Sequence, residues 1–153
     1  MKITTIAIAV ALLGNAASAQ DIYAGVSFDY NLGDDDNNQT AASLLAGGTY
    51  DMGVFSVGAE VEYGAAAVLG GDYDTARLRL MGGYAFDNYT ALASIGGTRF
   101  DDGDVAYTGY NFGLGLQAPI TNALDLRGEV LRDIMSDGGS NATTTRVAAI
   151  YSF

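Results

Sequence analysis

Long segments in which apolar and polar residues alternate recur along this chain, and they restrict its fold more than any other feature. Successive side chains of a β-strand point to opposite faces, so alternation with period two predicts strands with one apolar face. Each segment runs for about 10–12 residues, longer than the globular average of about 5–6 and suited to a tilted strand that crosses a membrane. The predicted strands span Asp21–Asn31, Ala41–Tyr50, Val54–Gly64, Thr75–Ala85, Tyr89–Arg99, Tyr107–Ala118, Ala123–Asp133 and Thr143–Phe153. The fifth is the least regular, because Leu92 lies on its polar side.

Residues 1–19 have the pattern of a secretory signal peptide. Lys2 supplies a positive charge, Ile3–Leu13 form an apolar run, and Ala17-Ser18-Ala19 provide the small residues of a cleavage site. The apolar run is shorter than the roughly 20 residues that a transmembrane helix needs. We therefore predict a signal peptide at residues 1–19 and one secreted domain at residues 20–153.

The connections between the predicted strands alternate in length. Short turns are predicted at Asp51–Gly53, Asp87–Asn88 and Pro119–Asn122. Longer, polar and acidic loops are predicted at Leu32–Thr40, Ala65–Asp74, Phe100–Ala106 and Ile134–Ala142. Short turns at one end and longer loops at the other are typical of outer-membrane barrels. The fold class that follows is all-β: an eight-stranded antiparallel up-and-down transmembrane β-barrel after a cleaved signal peptide.

The distribution of aromatic residues favours a barrel whose apolar face meets lipid. Aromatic residues concentrate near the strand ends and form two belts, as expected at two lipid–water interfaces. The belt near the turns comprises Tyr50, Phe55, Tyr84, Tyr89, Tyr151 and Phe153, and the belt near the loops comprises Tyr30, Tyr63, Tyr107 and Tyr110. The polar faces carry no lysine, which a water-exposed wall would ordinarily include. A soluble periplasmic barrel that binds an apolar ligand is the alternative, since its strands alternate in the same way.

The polar face then points into the lumen and carries charges of both signs. The predicted lumen charge network comprises Glu60, Glu62, Arg77, Arg79, Asp125, Arg127, Glu129 and Arg146. An eight-stranded barrel is just wide enough for side chains to fill it, so these charges are expected to pair as a structural plug. A narrow porin-like channel for small solutes is the alternative, because small inward residues could leave gaps between the charges. These residues are Gly58, Gly64, Gly83, Gly96, Gly109, Gly113 and Gly115.

The C-terminal segment Val147–Phe153 alternates apolar and aromatic residues and ends in Phe, and glycine-aromatic segments occur at Tyr23–Ser27 and Gly82–Phe86. In these segments the chain resembles the small eight-stranded outer-membrane barrel family of the OmpA/OmpX type, in which Tyr151 and Phe153 would be a C-terminal assembly signal. The resemblance implies location in the cell outer membrane and recognition by the barrel assembly machinery. It implies no single activity, because members act as envelope stabilisers, adhesins, resistance factors or narrow channels.

Composition removes several classes of function. The chain has no histidine and no cysteine, which excludes histidine-based nucleophilic catalysis, thiolate metal sites and disulfides. Glu60 and Glu62 share the inward face, but a filled lumen leaves no substrate cleft between them. We therefore expect no enzyme and no cofactor. Lys2 is the single lysine, so residues 20–153 carry 6 − 18 = −12 charges, which disfavours a nucleic-acid partner.

The loops contain two oxygen-rich acidic runs. Asp34–Asn38 and Asp101–Asp104 resemble the clusters that calcium prefers, so bridging of divalent cations to lipopolysaccharide is one hypothesis; solvation of the exposed end is the simpler one. The expected partners are outer-membrane lipid and lipopolysaccharide, and the barrel is expected to be a monomer. The sequence thus favours a structural or surface-interaction protein that acts through acidic extracellular loops.

Overall fold

The computed structural model describes residues 21–34, 38–66, 73–136 and 138–153, which form one closed antiparallel barrel. Its strands are β1 (Asp21–Gly33), β2 (Gln39–Met52), β3 (Phe55–Ala65), β4 (Asp74–Phe86), β5 (Tyr89–Asp101), β6 (Ala106–Pro119), β7 (Leu124–Met135) and β8 (Ala142–Ser152). Each strand pairs with the next along the chain, and β8 pairs with β1. Closure removes the exposed strand edges that an open sheet would present. Within the described ranges, no helix is long and apolar enough to cross a membrane. The predicted fold class is confirmed; the predicted signal peptide lies outside the described residues and stays a prediction.

The strands extend further toward the loop end than the sequence predicted, so the loops are shorter. The clearest case is the loop predicted at Phe100–Ala106. Phe100 pairs with Tyr107 and Asp101 pairs with Ala106, which leaves residues 102–105 as the connection. The Oδ1 atom of Asp102 accepts hydrogen bonds from the backbone N–H groups of residues 104 and 105, at 3.1 and 2.7 Å. The acidic side chain therefore closes a tight turn.

The outer wall is apolar. Leu44, Leu80 and Leu114 in mid-strand are 65%, 65% and 69% exposed, whereas the inward positions are buried and mostly polar. This is the reverse of a soluble barrel with an apolar interior, so the soluble alternative is wrong. Strands of 11–14 residues, at about 3.3 Å per residue and a tilt of about 45°, span about 30 Å, the thickness of a bilayer hydrocarbon core.

Aromatic side chains ring the outer wall at both ends. Those exposed near the short turns are Tyr50, Phe55, Tyr84, Phe86, Tyr89, Tyr151 and Phe153. Those exposed near the loops are Tyr30, Tyr63 and Tyr110. The assignment of Tyr107 to the loop-end belt is wrong. Tyr107 has the same strand parity as the inward Gly109 and lines a cleft at the loop end of the lumen.

The inward glycines are points of close approach between neighbouring strands and side chains. A Cβ atom at any of the seven would meet a neighbouring atom at 2.7 Å or less. At Gly113 that atom is Oγ of Ser94, and at Gly115 it is Cγ of Glu129, both at 2.7 Å. At Gly96 the clash would be with backbone, namely the carbonyl oxygen of Leu78. Atoms of neighbouring side chains and strands already occupy the space that a Cβ atom would need at these positions.

We predict that Gly96→Ala destabilises the barrel by about 1–3 kcal/mol, because the added methyl group meets backbone that cannot move without shifting a strand. Gly128→Ala is the matched control, since a Cβ atom at Gly128 meets nothing within 4 Å. Urea unfolding of the refolded proteins in lipid vesicles measures both changes. Equal midpoints for the two variants would show that the inward glycines are not required for close packing.

Candidate functional site

The lumen contains the main concentration of charge in the described part of the barrel. Nine charged side chains are buried there, each at most 5% exposed: Arg77, Arg79, Arg127, Arg146, Asp29, Glu60, Glu62, Glu129 and Asp133. Four arginines against five carboxylates give 4 − 5 = −1, so the buried charges nearly balance. Strand alternation places each of them inward, because they all lie on the face opposite the apolar lipid-facing residues.

Some of these charges meet across neighbouring strands. In the register of β3 and β4, Glu60 lies opposite Arg79 and Glu62 lies opposite Arg77. Both pairs form salt bridges, and Arg77 Nη1 is 2.5 Å from Glu62 Oε1. Asp29 lies opposite Arg146 in the register of β1 and β8, where the guanidinium donates from Nε and Nη2 to the two carboxylate oxygens at 2.7 and 2.6 Å.

The same arginines also reach across the lumen to strands that are not their neighbours. Arg77 on β4 contacts Asp133 on β7 at 2.8 Å, and Arg79 contacts Glu129 at 2.9 Å. The remaining two bonds are from Arg127 on β7 to Glu60 on β3 and from Arg146 on β8 to Glu62, both at 2.5 Å. Opposite walls of the barrel are therefore tied together by ion pairs.

Neutral polar side chains complete the hydrogen bonding of the buried carboxylates. Asp29 accepts hydrogen bonds from the hydroxyls of Ser27 and Ser43, at 2.9 and 2.7 Å. Asp133 accepts one from Thr98 at 2.6 Å, and Glu60 accepts one from Tyr23 at 2.9 Å. Buried charges are stable only when they are paired and hydrogen-bonded, so these hydroxyls are part of the network.

The structure places seven of the eight predicted lumen charges in these ion pairs. Asp125 differs: it lies near the short turns and accepts a hydrogen bond from Gln117 at 2.6 Å. Sequence reasoning missed Asp29 and Asp133, which are 1% and 0% exposed. Strand parity could have identified both, since each shares the inward face with residues that were assigned to it.

Other buried side chains lie in the lumen on both sides of the ion pairs. On the short-turn side, Tyr23, Leu45, Ala148 and Ile150 form a buried apolar cluster. On the loop side, Asn31 donates a hydrogen bond to the phenol oxygen of Tyr73 and accepts one from Thr144. Three successive layers of side chains, apolar, charged and neutral polar, therefore occupy the interior.

Three acidic residues near the loops, Asp34, Asp101 and Asp102, form salt bridges or hydrogen bonds with neighbouring residues. Asp34 and Arg132 form a salt bridge on the surface, with Nη2 and Oδ2 2.6 Å apart, and the hydrogen bond from Arg132 lowers the pKa of Asp34. Asp101 contacts Arg99 at 3.2 Å, and Asp102 closes its turn as described above. Among the described residues, no group of three or more acidic side chains is arranged to hold a metal ion. Residues 35–37 of the first predicted cation run lie outside the described residues.

Tyr151 and Phe153, the predicted assembly signal, lie on the outer wall at the short-turn end. They are 51% and 80% exposed, and their ring centroids are 5.2 Å apart in an edge-to-face arrangement. The backbone N–H of Phe153 donates to the carbonyl of Ile22 at 3.0 Å. Both rings are accessible from the lipid side.

The fold defines a transmembrane β-barrel, and solved structures of small outer-membrane barrels are similar to it. Neisserial surface protein A has a TM-score of 0.64 at 12% identity, over 87% of this chain and 96% of that one. The attachment invasion locus protein Ail of Yersinia pestis has a TM-score of 0.57 at 15% identity, over 87% and 97%. The N-terminal barrel domain of Pseudomonas aeruginosa OprF has a TM-score of 0.56 at 13% identity, over 84% and 97%.

Similarity at this level of identity shows the fold, which is that of the small eight-stranded outer-membrane barrels. Ail has also been solved in complex with the heparin analogue sucrose octasulfate. The sequence matches no family model, and no curated protein is significantly similar to it.

We predict that Arg146→Met lowers the free energy of unfolding by about 3–5 kcal/mol, because it leaves the buried carboxylates of Asp29 and Glu62 without a shared partner. Arg99→Met is the matched control, since the pair of Arg99 with Asp101 is exposed and contributes less than about 1 kcal/mol. Denaturant titrations of both variants in the same micelles make the comparison. If Arg146→Met lowered the free energy of unfolding no more than Arg99→Met does, the lumen ion pairs would not be needed to stabilise the barrel.

Proposed function

We propose that this chain is a monomeric outer-membrane protein with a closed lumen, which acts by presenting its loop-end surface to the exterior. We propose neither an enzymatic activity nor the function of a general pore for it. The single observation that carries the proposal is the set of ion pairs that crosses the lumen between β3, β4, β7 and β8.

A closed lumen follows from the size of the barrel and the length of its arginines. Eight strands leave an interior just wide enough for side chains. Arg79 and Arg146 have fully buried guanidinium groups that reach carboxylates on other walls. A solute would have to separate these pairs and strip the charges of their partners, which is costly in a region of low dielectric constant. The apolar cluster around Ile150 is a second barrier on the short-turn side.

Location in the outer membrane is supported by the outer wall. Its apolar band and two aromatic belts match the requirements of a bilayer, and the outer-membrane barrels named above have the same fold. Lipid and lipopolysaccharide are the partners that we propose for this wall. We propose the assembly machinery as the partner of Tyr151 and Phe153, whose exposed rings face the lipid side.

Action through the loop end is supported by what the barrel leaves accessible. The described loop residues include Asp34, Asp102 and Asp104, so this surface is acidic. A polysulfated ligand such as the one bound by Ail would be repelled here, and we do not propose it for this chain. Divalent-cation bridging to lipopolysaccharide stays a hypothesis for the acidic residues of the first loop.

The narrow channel is the competing function, and planar-bilayer recordings separate the two. We predict that the refolded wild-type protein shows no discrete conductance steps, because layered side chains fill the lumen. We predict that Arg79→Ala produces small steps, since it removes the side chain that joins Glu60 and Glu129 across the interior. Arg132→Ala, on the outer wall, is the matched control and stays silent.

Folding of each preparation is checked by comparing the gel mobility of unboiled and boiled samples. Reproducible steps from folded wild-type protein, of the same size in Arg132→Ala, would make the lumen a conduit and overturn the proposed function.

A further inference from the structure

An open cleft of about 190 Å³ lies at the loop end of the barrel, above the ion pairs. Its lining includes Tyr73, Phe100, Asp102, Tyr107 and Met135, which come from different strands and turns. Pockets that hold drug-sized ligands measure about 300–1,000 Å³, so this cleft suits a single small group. Its described lining residues lie at the loop ends of the strands and in the turns between them.

Three aromatic rings form the walls of the cleft. The rings of Tyr73 and Phe100 have centroids 5.6 Å apart and planes 66° apart, so they meet edge to face as a corner. Tyr107 lies opposite Phe100 in the pairing of β5 with β6. A corner of rings with differently oriented faces suits a compact, roughly spherical group better than a flat one. Aromatic faces carry partial negative charge and attract cations.

The floor of the cleft is held in place by hydrogen bonds. Asn31 is 5% exposed and joins Tyr73 to Thr144 through the two ends of its amide group. The ring is therefore positioned before any ligand arrives, which reduces the entropic cost of binding.

The charge around the cleft is negative. Asp102 is the one charged residue among the described residues of the lining. The nearby arginines are engaged: Arg77 with Glu62 and Asp133, and Arg132 with Asp34. The guanidinium of Arg77 lies 5.7 Å from the centroid of Phe100, so this ring is already engaged by a cation and Tyr73 and Tyr107 are the other rings that could contact a ligand. An anion would meet Asp102, whereas a cation would meet both Asp102 and the rings.

We propose that the loop-end cleft binds a small organic cation with a methylated ammonium group, of the kind that choline carries. The inference rests on the proposed function in one respect, because it needs the loop end to face the exterior. Aromatic side chains that surround a quaternary ammonium are a recurrent means of recognition, and the acidic rim adds attraction for the positive charge.

The test is a titration of the refolded full chain, followed by the NMR signals of its Tyr and Phe rings. Octyl glucoside micelles are suitable, because their headgroup carries no ammonium. Choline chloride and tetramethylammonium chloride should both give saturable shifts of Tyr73, Phe100 and Tyr107, while sodium chloride gives none. Phosphocholine should bind more weakly than choline, because its phosphate meets Asp102.

Two variants and one control locate the site. Tyr107→Leu should weaken choline binding by about fivefold or more, as expected for the loss of one cation–π contact. Asp102→Asn keeps an oxygen that can close the turn but removes the charge, so it should weaken choline binding and reduce the difference between choline and phosphocholine. Tyr110→Leu is the matched control, since Tyr110 is on the same strand but faces lipid, and it should bind choline as the wild type does.

The absence of saturable shifts with both cations would overturn the inference. So would phosphocholine binding as tightly as choline, or equal weakening by Tyr107→Leu and Tyr110→Leu. None of these results would affect the closed lumen, which the conductance recordings test separately.

Discussion

Charges that are removed from both water and lipid must find partners inside the barrel. The lumen of an eight-stranded barrel is narrow and has little room for bulk water. Each of the four lumen arginines meets this constraint by lying between carboxylates of different strands, as Arg77 does with Glu62 and Asp133. The rest of the interior follows from these pairs. Hydroxyls such as that of Thr98 donate hydrogen bonds to the buried carboxylates, and Gly115 allows the side chain of Glu129 to pack close to its backbone.

The same pairs also specify the register of the strands. A shift of one residue would move every inward side chain of a strand to the lipid face. For Arg77 and Arg79 on β4, that would place two arginines in the bilayer, at about 2–4 kcal/mol each near its midplane. It would also leave Glu60 and Glu62 on β3 without their neighbours. The lumen network therefore stabilises one arrangement and penalises its nearest alternatives.

The architecture could be predicted from the sequence because the alternation of apolar and polar residues distinguishes the two faces of each strand. Alternation along β3, for example, separates Phe55 and Val57 from Glu60 and Glu62. The positions of the loops were less predictable, since an acidic residue such as Asp102 is equally compatible with a long loop and with a tight turn. Tyr107 lies near a strand end, as a residue of an aromatic belt would, but its position in the alternation of β6 points inward.

The pairing of the lumen charges could be predicted only in part from the sequence. Pairs between adjacent strands follow from register, as for Asp29 with Arg146. Pairs across the interior, such as Arg127 with Glu60, depend on how the strands tilt and on how far each arginine extends. The loop-end cleft was missed for the same reason, because Tyr73, Phe100 and Tyr107 come together only when the barrel closes.

The most direct test of the central claim is hydrogen exchange at the arginine side chains, measured by NMR on the refolded protein in micelles. The sequence has six arginines, and the structure divides them into two groups. The account predicts slow exchange of the Nε–H groups of Arg77, Arg127 and Arg146, which donate hydrogen bonds inside the lumen. It also predicts slow exchange for Arg79, whose Nε–H is buried but has no acceptor among the described residues. It predicts fast exchange for Arg99 and Arg132, which lie at the surface. Fast exchange at all six would contradict a closed, ion-paired lumen.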